Sequence, residues 1–211
     1  MQKDQSIMNM LFRTLSVCLA ALALSTLAYA QKQPEFERGY YYRFDSTKVT
    51  GEISYNFGRD RWFFFRTDLD APPQLVMARD SYEFSIRGRR FVMKENTKSQ
   101  YKIWNEHGQS DFVEIVIDDQ ISLFKDYYSD PVARGQHQLS TDKNFNYLVQ
   151  RKGEQGILRI SKTKKRFIKE MTAFFKDYEK LSKLISDEEL TYDDLEYIVN
   201  LYNIWYSDNV K

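Results

Sequence analysis

Apolar and polar positions alternate with a period of two, typical of β-strands, through much of residues 39–161. The segments Arg61–Thr67 (RWFFFRT) and Asp111–Asp118 (DFVEIVID) are instead apolar on both faces, and both are rich in the aromatic and β-branched residues that strands favour. Together, the period and this enrichment predict strands over Tyr40–Phe44, Thr50–Asn56, Arg61–Thr67, Tyr82–Arg87, Phe91–Lys94, Asp111–Asp118, Gln120–Tyr128, Asn146–Arg151 and Gly156–Ser161.

Turn residues between these strands predict how they connect. Glycines at positions 58, 88 and 153 favour tight antiparallel hairpins. Ala71-Pro72-Pro73 predicts a loop, followed by a short helical turn over Val76–Asp80. Tyr128–Thr141 holds Pro131, Gly135 and many polar residues, which predicts a long surface loop.

From residue 162 onward the apolar period changes to that of an α-helix. A first stripe contains Phe167, Met171, Phe174, Tyr178, Leu181 and Ile185, and a second contains Leu195, Ile198, Val199, Tyr202 and Trp205. Thr191 is a good N-cap for the second helix, with acids in its first turn. The chain is therefore predicted to be α+β: a mostly antiparallel β-sheet or small barrel over about residues 39–161, followed by a C-terminal helical pair.

Residues 1–30 have the pattern of a secretory signal peptide. Lys3 and Arg13 lie in a polar leader, Leu15–Leu27 is apolar, and Ala28-Tyr29-Ala30 places small residues where signal peptidase requires them. We expect cleavage after Ala30 and export to the periplasm, the cell surface or the medium. The predicted organisation is thus a signal peptide (1–30), a β-rich domain (31–161) and a helical hairpin (162–211) packed on or beside it.

Cleavage there also removes the sole cysteine, Cys18. Leu15-Ser16-Val17-Cys18 loosely resembles a lipoprotein signal, but the branched Val17 does not suit that processing and cleavage after Ala30 is favoured. The mature chain then has no thiol, so it is predicted to be free of disulfides, of a cysteine nucleophile and of cysteine metal ligands.

The charge balance of the mature chain is neutral. Of 31 basic and 30 acidic side chains, two and one lie in the leader, which leaves 29 of each. A nucleic-acid-binding protein usually has a basic excess, so no nucleic-acid partner is predicted. The 15 Phe, 15 Tyr and 3 Trp of the whole chain favour a β-rich core.

The sequence contains no motif that predicts a catalytic, cofactor or metal site. Nucleophile-elbow, phosphate-loop and dinucleotide-binding patterns do not occur. His107 and His137 lie in polar segments without zinc-ligand spacing. Asp118-Asp119 is interpreted as a turn pair, and half of a glycosidase carboxylate pair is the less favoured alternative. No cofactor and no metal are predicted.

Two clusters of basic residues have alternative interpretations. Arg87, Arg89 and Arg90 crowd one hairpin, where Arg89 and Arg90 could bind an anion, although pairing with neighbouring acids is preferred. Lys162–Lys183 has eight basic and three acidic residues, which is compatible with an anionic membrane surface. Asp187–Glu196 has six acids and no base, so charge matching within the helical hairpin is the preferred explanation.

Aromatic residues supply the candidate binding positions. Tyr127 and Tyr128 lie where a strand enters a long loop, and Trp104 lies in a polar region. Trp62 and the Tyr40–Tyr42 group are further candidates for aromatic platforms, although aromatics in strands are more often core residues.

Three short stretches resemble a family of uncharacterised secreted Bacteroidota proteins, in which a β-rich region precedes two C-terminal helices. The stretches are Val49–Tyr55 (VTGEISY), Ile121–Phe124 (ISLF), and Thr191–Leu195 (TYDDL) with Tyr202-Asn203 near the end. The resemblance implies export and an envelope setting, and it implies no catalytic residues.

The expected function is recognition of a peptide, a glycan or an envelope partner protein through exposed aromatic residues and a sheet edge. The binding residues predicted are Tyr127, Tyr128, Trp104, Arg89 and Arg90. Two alternatives remain open: a hydrolase that uses carboxylates on strand-end loops, and a structural component of an envelope complex.

Overall fold

Ten strands form one antiparallel sheet in the computed structural model, which describes residues 35–56, 61–95, 110–128, 144–154 and 156–210, without the side chains of Glu95, Ser110 and Asp111. The strands are β1 (Glu37–Tyr42), β2 (Lys48–Ser54), β3 (Trp62–Arg66), β4 (Gln74–Met77), β5 (Glu83–Ile86), β6 (Arg89–Glu95), β7 (Ser110–Ile117), β8 (Ile121–Tyr127), β9 (Phe145–Arg151) and β10 (Leu158–Arg159). Their order is β10-β9-β8-β7-β6-β5-β1-β2-β3-β4. The predicted antiparallel α+β class is therefore confirmed, as an open sheet and not as a closed barrel.

One strand replaces an element predicted as helical. Val76–Asp80 was expected to form a helical turn, but Gln74–Met77 is β4 and pairs with β3, with Leu75 opposite Phe64. Only Ala78–Asp80 turns, with Asp80 N donating to Met77 O at 2.8 Å. The short apolar run QLVM has no strong local preference, and a partner strand with an apolar face decides its conformation.

Three helices, and not the predicted pair, follow the sheet. They are α1 (Lys164–Phe174), α2 (Glu179–Ser186) and α3 (Leu195–Asn209), with a 3-10 turn over Tyr192–Asp194. The predicted N-cap Thr191 forms a capping box with Asp194 at the start of this turn. None of the described helices has the length and hydropathy needed to cross a membrane.

The helices bury one half of the sheet. Ile121, Leu123 and Val149 of β8 and β9 share a core with Met171 of α1 and Tyr202 of α3. This helix-covered half comprises β7–β10 and α1–α3. Residues 36–211 form one compact unit that includes both the sheet and the helices.

The other half of the sheet, β1–β6, curls over its own core and is called the curled half here. In a flat sheet β3 and β5 would lie about 14 Å apart, three strand spacings. The rings of Phe63 (β3) and Phe84 (β5) nevertheless have centroids 4.7 Å apart, and Phe63 also lies 5.9 Å from Phe112 of β7. The sheet therefore rolls up, and aromatic rings fill the space enclosed.

Two paired glycines allow this curl. Gly39 of β1 lies opposite Gly51 of β2. A Cβ at Gly51 would lie 2.6 Å from Cζ of Phe65, and a Cβ at Gly39 would overlap the carbonyl oxygen of Ser85. Backbone and ring thus approach these positions so closely that only glycine fits.

Candidate functional site

Arg89 and Tyr127, two of the predicted binding residues, meet on the core side of the sheet. Nε and Nη2 of Arg89 donate to the two carboxylate oxygens of Glu114 at 2.7 and 2.8 Å. Arg89 Nη2 also donates to the Tyr127 hydroxyl at 2.6 Å, which in turn donates to Glu114 at 2.5 Å. The bidentate pair is partly buried and, with Tyr127, links β6, β7 and β8. These hydrogen bonds therefore stabilise the sheet.

The other arginines of this hairpin also have acidic partners. Arg90 contacts Glu83 at 3.0 Å and Asp118 at 3.3 Å on the opposite side of the sheet. Hydrogen bonding to Glu83 raises the pKa of Arg90. Arg87, at the positive-φ turn with Gly88, pairs with Glu37. Anion binding by Arg89 or Arg90 stays a prediction.

Of the other predicted binding residues, Tyr128 contacts Asn144 and lies near Lys162, and Trp104 lies outside the described residues. Tyr128 is half-buried, its backbone N–H donates to Asn144 O at 3.0 Å, and Lys162 Nζ lies 5.8 Å from its ring. Trp104, His107 and His137 lie outside the described residues. Their predicted roles stay predictions.

Two polar networks connect the helices to the sheet. Glu196 of α3 accepts hydrogen bonds from Lys125 at 2.9 Å and from the Tyr147 hydroxyl at 2.8 Å. The bond from Lys125 holds the pKa of Glu196 below its ordinary value, whereas burial and the neighbouring carboxylate raise the pKa of Tyr147. Glu196 therefore stays ionised and Tyr147 stays protonated, as a hydrogen bond from the hydroxyl to the carboxylate requires.

The second network centres on Asp177, which lies between α1 and α2 in the chain. Arg151 donates to both oxygens of Asp177 at 2.9 and 3.2 Å, and Tyr202 donates to the same carboxylate at 2.5 Å. Burial alone would raise the pKa of Asp177, but these hydrogen bonds outweigh it and lower the pKa. The carboxylate stays ionised as a structural partner.

The basic and acidic helical segments contact each other at two points. Lys164 pairs with Glu188, and Lys183 lies 3.8 Å from Asp187. Arg166 pairs instead within α1, with Glu170 at 2.9 Å.

The described residues contain no group of three or more His, Cys, Asp or Glu side chains placed to hold a metal ion. Asp45, Asp177, Asp194 and Glu196 each have a pKa below the ordinary value. A general acid needs a raised pKa, so these four groups suit ion pairing and capping better than proton donation.

The outer face of β1–β4, opposite the core, presents a different arrangement. Alternation along β1 places Tyr40 and Tyr42 there, with ring centroids 5.5 Å apart. Tyr42 stacks on Tyr82 at 5.6 Å, and Phe44 lies 6.2 Å from Tyr82 with 54% of its surface exposed. These four residues are called the outer aromatic row. Lys48 Nζ lies 3.9 Å from the Tyr40 ring centroid.

A cleft of about 590 Å³ opens beside the outer aromatic row. It is lined by Arg38, Gly39, Thr50, Gly51, Glu52, Thr67, Asp68, Leu69 and Asp70. One wall is the loop 67–70, which is held by Asp68 Oδ1 accepting from Ala71 N at 2.9 Å. Arg66 fixes the wall to the sheet by donating to Glu52 at 2.7 Å and to Leu69 O at 3.4 Å.

Apolar side chains are also exposed at the β4 edge. Trp62 and Phe64 of β3 have centroids 4.9 Å apart, and Leu75 of β4 is 52% exposed. In the described residues β4 pairs only with β3. The curled half thus presents an aromatic row, a cleft and a strand edge on its outside.

Sequence reasoning named Tyr40–Tyr42 and Trp62 but missed the cleft. The first strand was predicted to begin at Tyr40, whereas β1 begins at Glu37. Charged Arg38 lies on the same face of the strand as Tyr40 and Tyr42, so apolar alternation did not extend the predicted strand to Glu37.

No protein-family model, curated protein or solved structure matches this chain. The case for its function therefore rests on the geometry of the outer face.

Proposed function

We propose that this chain is an exported binding module that holds an extended ligand against the outer face of β1–β4. The observation that carries the proposal is the outer aromatic row (Tyr40, Tyr42, Phe44, Tyr82) beside an open polar cleft. Export is supported by the signal-peptide pattern of residues 1–30. A peptide, a glycan or an envelope partner are the candidate ligands.

Accessibility distinguishes the outer row from the rings of the core, because Phe44 is exposed and Tyr40, Tyr42 and Tyr82 are half-buried. Core rings such as Phe84 and Phe91 are fully buried and stack on each other at 4.7 Å. Phe44 and Leu75 keep more than half of their surface in water, which costs free energy unless a partner covers them. Grouped exposed apolar side chains rimmed by polar residues typically mark interaction sites.

A binding role also suits the charges around the row. Lys48 lies against the Tyr40 ring, and Arg38 and Asp70 line the neighbouring cleft. Flat rings and separate charged groups are suited to orienting a ligand, because rings supply contact area with little loss of side-chain entropy.

The proposal is tested by arrays of peptides and glycans probed with the purified full chain and with two variants. The double variant Tyr42→Ser with Phe44→Ser removes two rings of the outer row. Tyr197→Ser is the matched control, because Tyr197 is 58% exposed but lies on α3. Circular dichroism verifies that each variant keeps its fold.

We expect the double variant to bind the captured ligands at least tenfold more weakly and the Tyr197 variant to bind them normally. Capture of no ligand by the wild-type chain would overturn the proposal. Equal losses in the two variants would also overturn it, since the outer row would then have no special role.

A further inference from the structure

The cleft beside the outer aromatic row has one ion pair at its edge and two charged side chains for which no described residue supplies a side-chain partner. Glu52 and Arg66 satisfy each other at 2.7 Å, and the Phe36 ring lies 4.2 Å from the Arg66 guanidinium. Arg38 and Asp70 are exposed, line the same cleft, and make no ion pair with each other or with another described residue. These two side chains are therefore available to a ligand.

The floor of the cleft is formed by β1 and β2, which are interior strands of the sheet. β1 lies between β5 and β2, and β2 lies between β1 and β3. An added peptide strand pairs along a free edge strand, and neither of these strands is one. Recognition in the cleft therefore relies mainly on side chains, which suits a ligand rich in its own hydroxyl groups.

The side chains fit three parts of such a ligand. The Arg38 guanidinium matches a carboxylate through two parallel hydrogen bonds. The Asp70 carboxylate accepts hydrogen bonds from hydroxyls, and Thr50 presents a hydroxyl opposite Tyr40 in the register of β1 and β2. Tyr40 is the residue opposite Thr50, next to the cleft lining, and a tyrosine ring is a flat surface of the kind that packs on the apolar face of a sugar ring.

We infer that the cleft binds an acidic saccharide, with the carboxylate of a uronic acid on Arg38 and ring hydroxyls on Asp70 and Thr50. A carboxylate fits better than a phosphate dianion, because Arg38 is the single unpaired cation among the residues lining the cleft, which also carry Asp68 and Asp70. This ligand class rests on the proposed function, since it names what one part of the outer face binds.

The test is isothermal titration calorimetry of the full chain with two matched probes, tetragalacturonate and its methyl ester. The ester keeps every ring hydroxyl and removes the negative charges. We expect tetragalacturonate to bind at least tenfold more tightly than the ester. Added salt is expected to weaken binding of the acid more than binding of the ester.

Two variants test which part of the saccharide each charged side chain binds. Arg38→Gln is expected to remove the preference for the acid over the ester, and Asp70→Asn to weaken both probes by severalfold. Arg79→Gln is the control, because the Arg79 side chain is 77% exposed and lies outside the cleft. It should leave both affinities unchanged.

Three results would overturn the inference: no binding of tetragalacturonate, equal binding of acid and ester, or an undiminished preference in Arg38→Gln. If tetragalacturonate fails to bind while the arrays capture a peptide whose binding needs Tyr42 and Phe44, the acidic saccharide is wrong and the proposed function stands. If the arrays capture no ligand and tetragalacturonate does not bind, both fail.

Discussion

The helix-covered half and the curled half bury their cores by different means. In the first, α1–α3 cover β8 and β9, and residues such as Met171 and Tyr202 complete a mixed core. In the second, the sheet covers itself, with Phe63 contacting both Phe84 and Phe112 across its interior. A sheet that supplies its own cover does not need helices, and α1–α3 pack against the other half of the sheet.

Charged residues differ between the halves at particular positions. In the helix-covered half, Arg151, Asp177 and Tyr202 are hydrogen-bonded to one another and hold helices against a strand. Most charged residues of the curled half are paired as well, as Arg66 is with Glu52. Arg38 and Asp70 differ from these, because they have no such partners among the described residues.

The largest predicted losses of stability follow from truncating one buried side chain in each of the two cores. Phe84 is fully buried and has ring contacts of 4.7 to 4.9 Å with Phe91, Phe63 and Phe112. Phe84→Ala should lower the free energy of unfolding by about 3–5 kcal/mol, and Met171→Ala in the other core by about 2–5 kcal/mol. Urea unfolding followed by circular dichroism measures both.

Both variants should unfold in one transition, because the sheet and helices form one compact unit. If Phe84→Ala instead splits unfolding into two transitions and Met171→Ala does not, the two halves of the sheet are separate folding units.

The second effect concerns the curl itself. Gly51→Ala would place a methyl group 2.6 Å from Cζ of Phe65, so the curled half should be destabilised by about 1–3 kcal/mol through overpacking. Gly156→Ala is the control, because a Cβ there meets nothing within 4 Å. Equal midpoints of urea unfolding in the two variants would show that close approach at Gly51 does not limit the curl.

The local sequence pattern was sufficient to predict most strands and the apolar stripes of the helices. RWFFFRT and DFVEIVID form β3 and β7, as their content of aromatic and β-branched residues predicts. The stripe Phe174-Tyr178-Leu181 continues through the break between α1 and α2, so periodicity could not reveal that break. The contact of Asp177 with Arg151 joins residues 26 positions apart and lies outside any local window.

The cleft was unpredictable for a similar reason. Arg38, Glu52 and Asp70 are brought together by the register of β1 on β2 and by the loop after β3. Register and curl depend on pairs such as Gly39 with Gly51, which a single pass along the chain does not connect. Sequence thus predicted the aromatic residues of the outer face and not the site that they flank.

A third effect, the dependence of stability on pH, tests the polar contacts of the helix-covered half. Burial is the main cause of a raised pKa at Tyr147, Tyr192 and Tyr202, all at the helix–sheet interface. The folded state keeps these phenol protons where the unfolded state releases them, so the stabilisation is complete below pH 10 and is lost as pH rises above it. Each such tyrosine contributes a loss of about 1.4 kcal/mol per pH unit until its folded pKa is reached.

Tyr202→Phe isolates one of these contributions, because it keeps the ring and removes the hydroxyl that Arg151 and Asp177 contact. The variant should be less stable at pH 7, by about 1.5–3 kcal/mol for hydrogen bonds to charged groups. That deficit should narrow between pH 10 and 11, since one titrating group is gone. Urea unfolding of the wild type and variant at pH 7, 9, 10 and 11 measures the difference in unfolding free energy.

A deficit that stays constant across this range would mean that Tyr202 ionises alike in the folded and unfolded chains. The interface would then admit water at Tyr202, and the contrast with the open outer face of β1–β4 would be weaker than the contacts suggest.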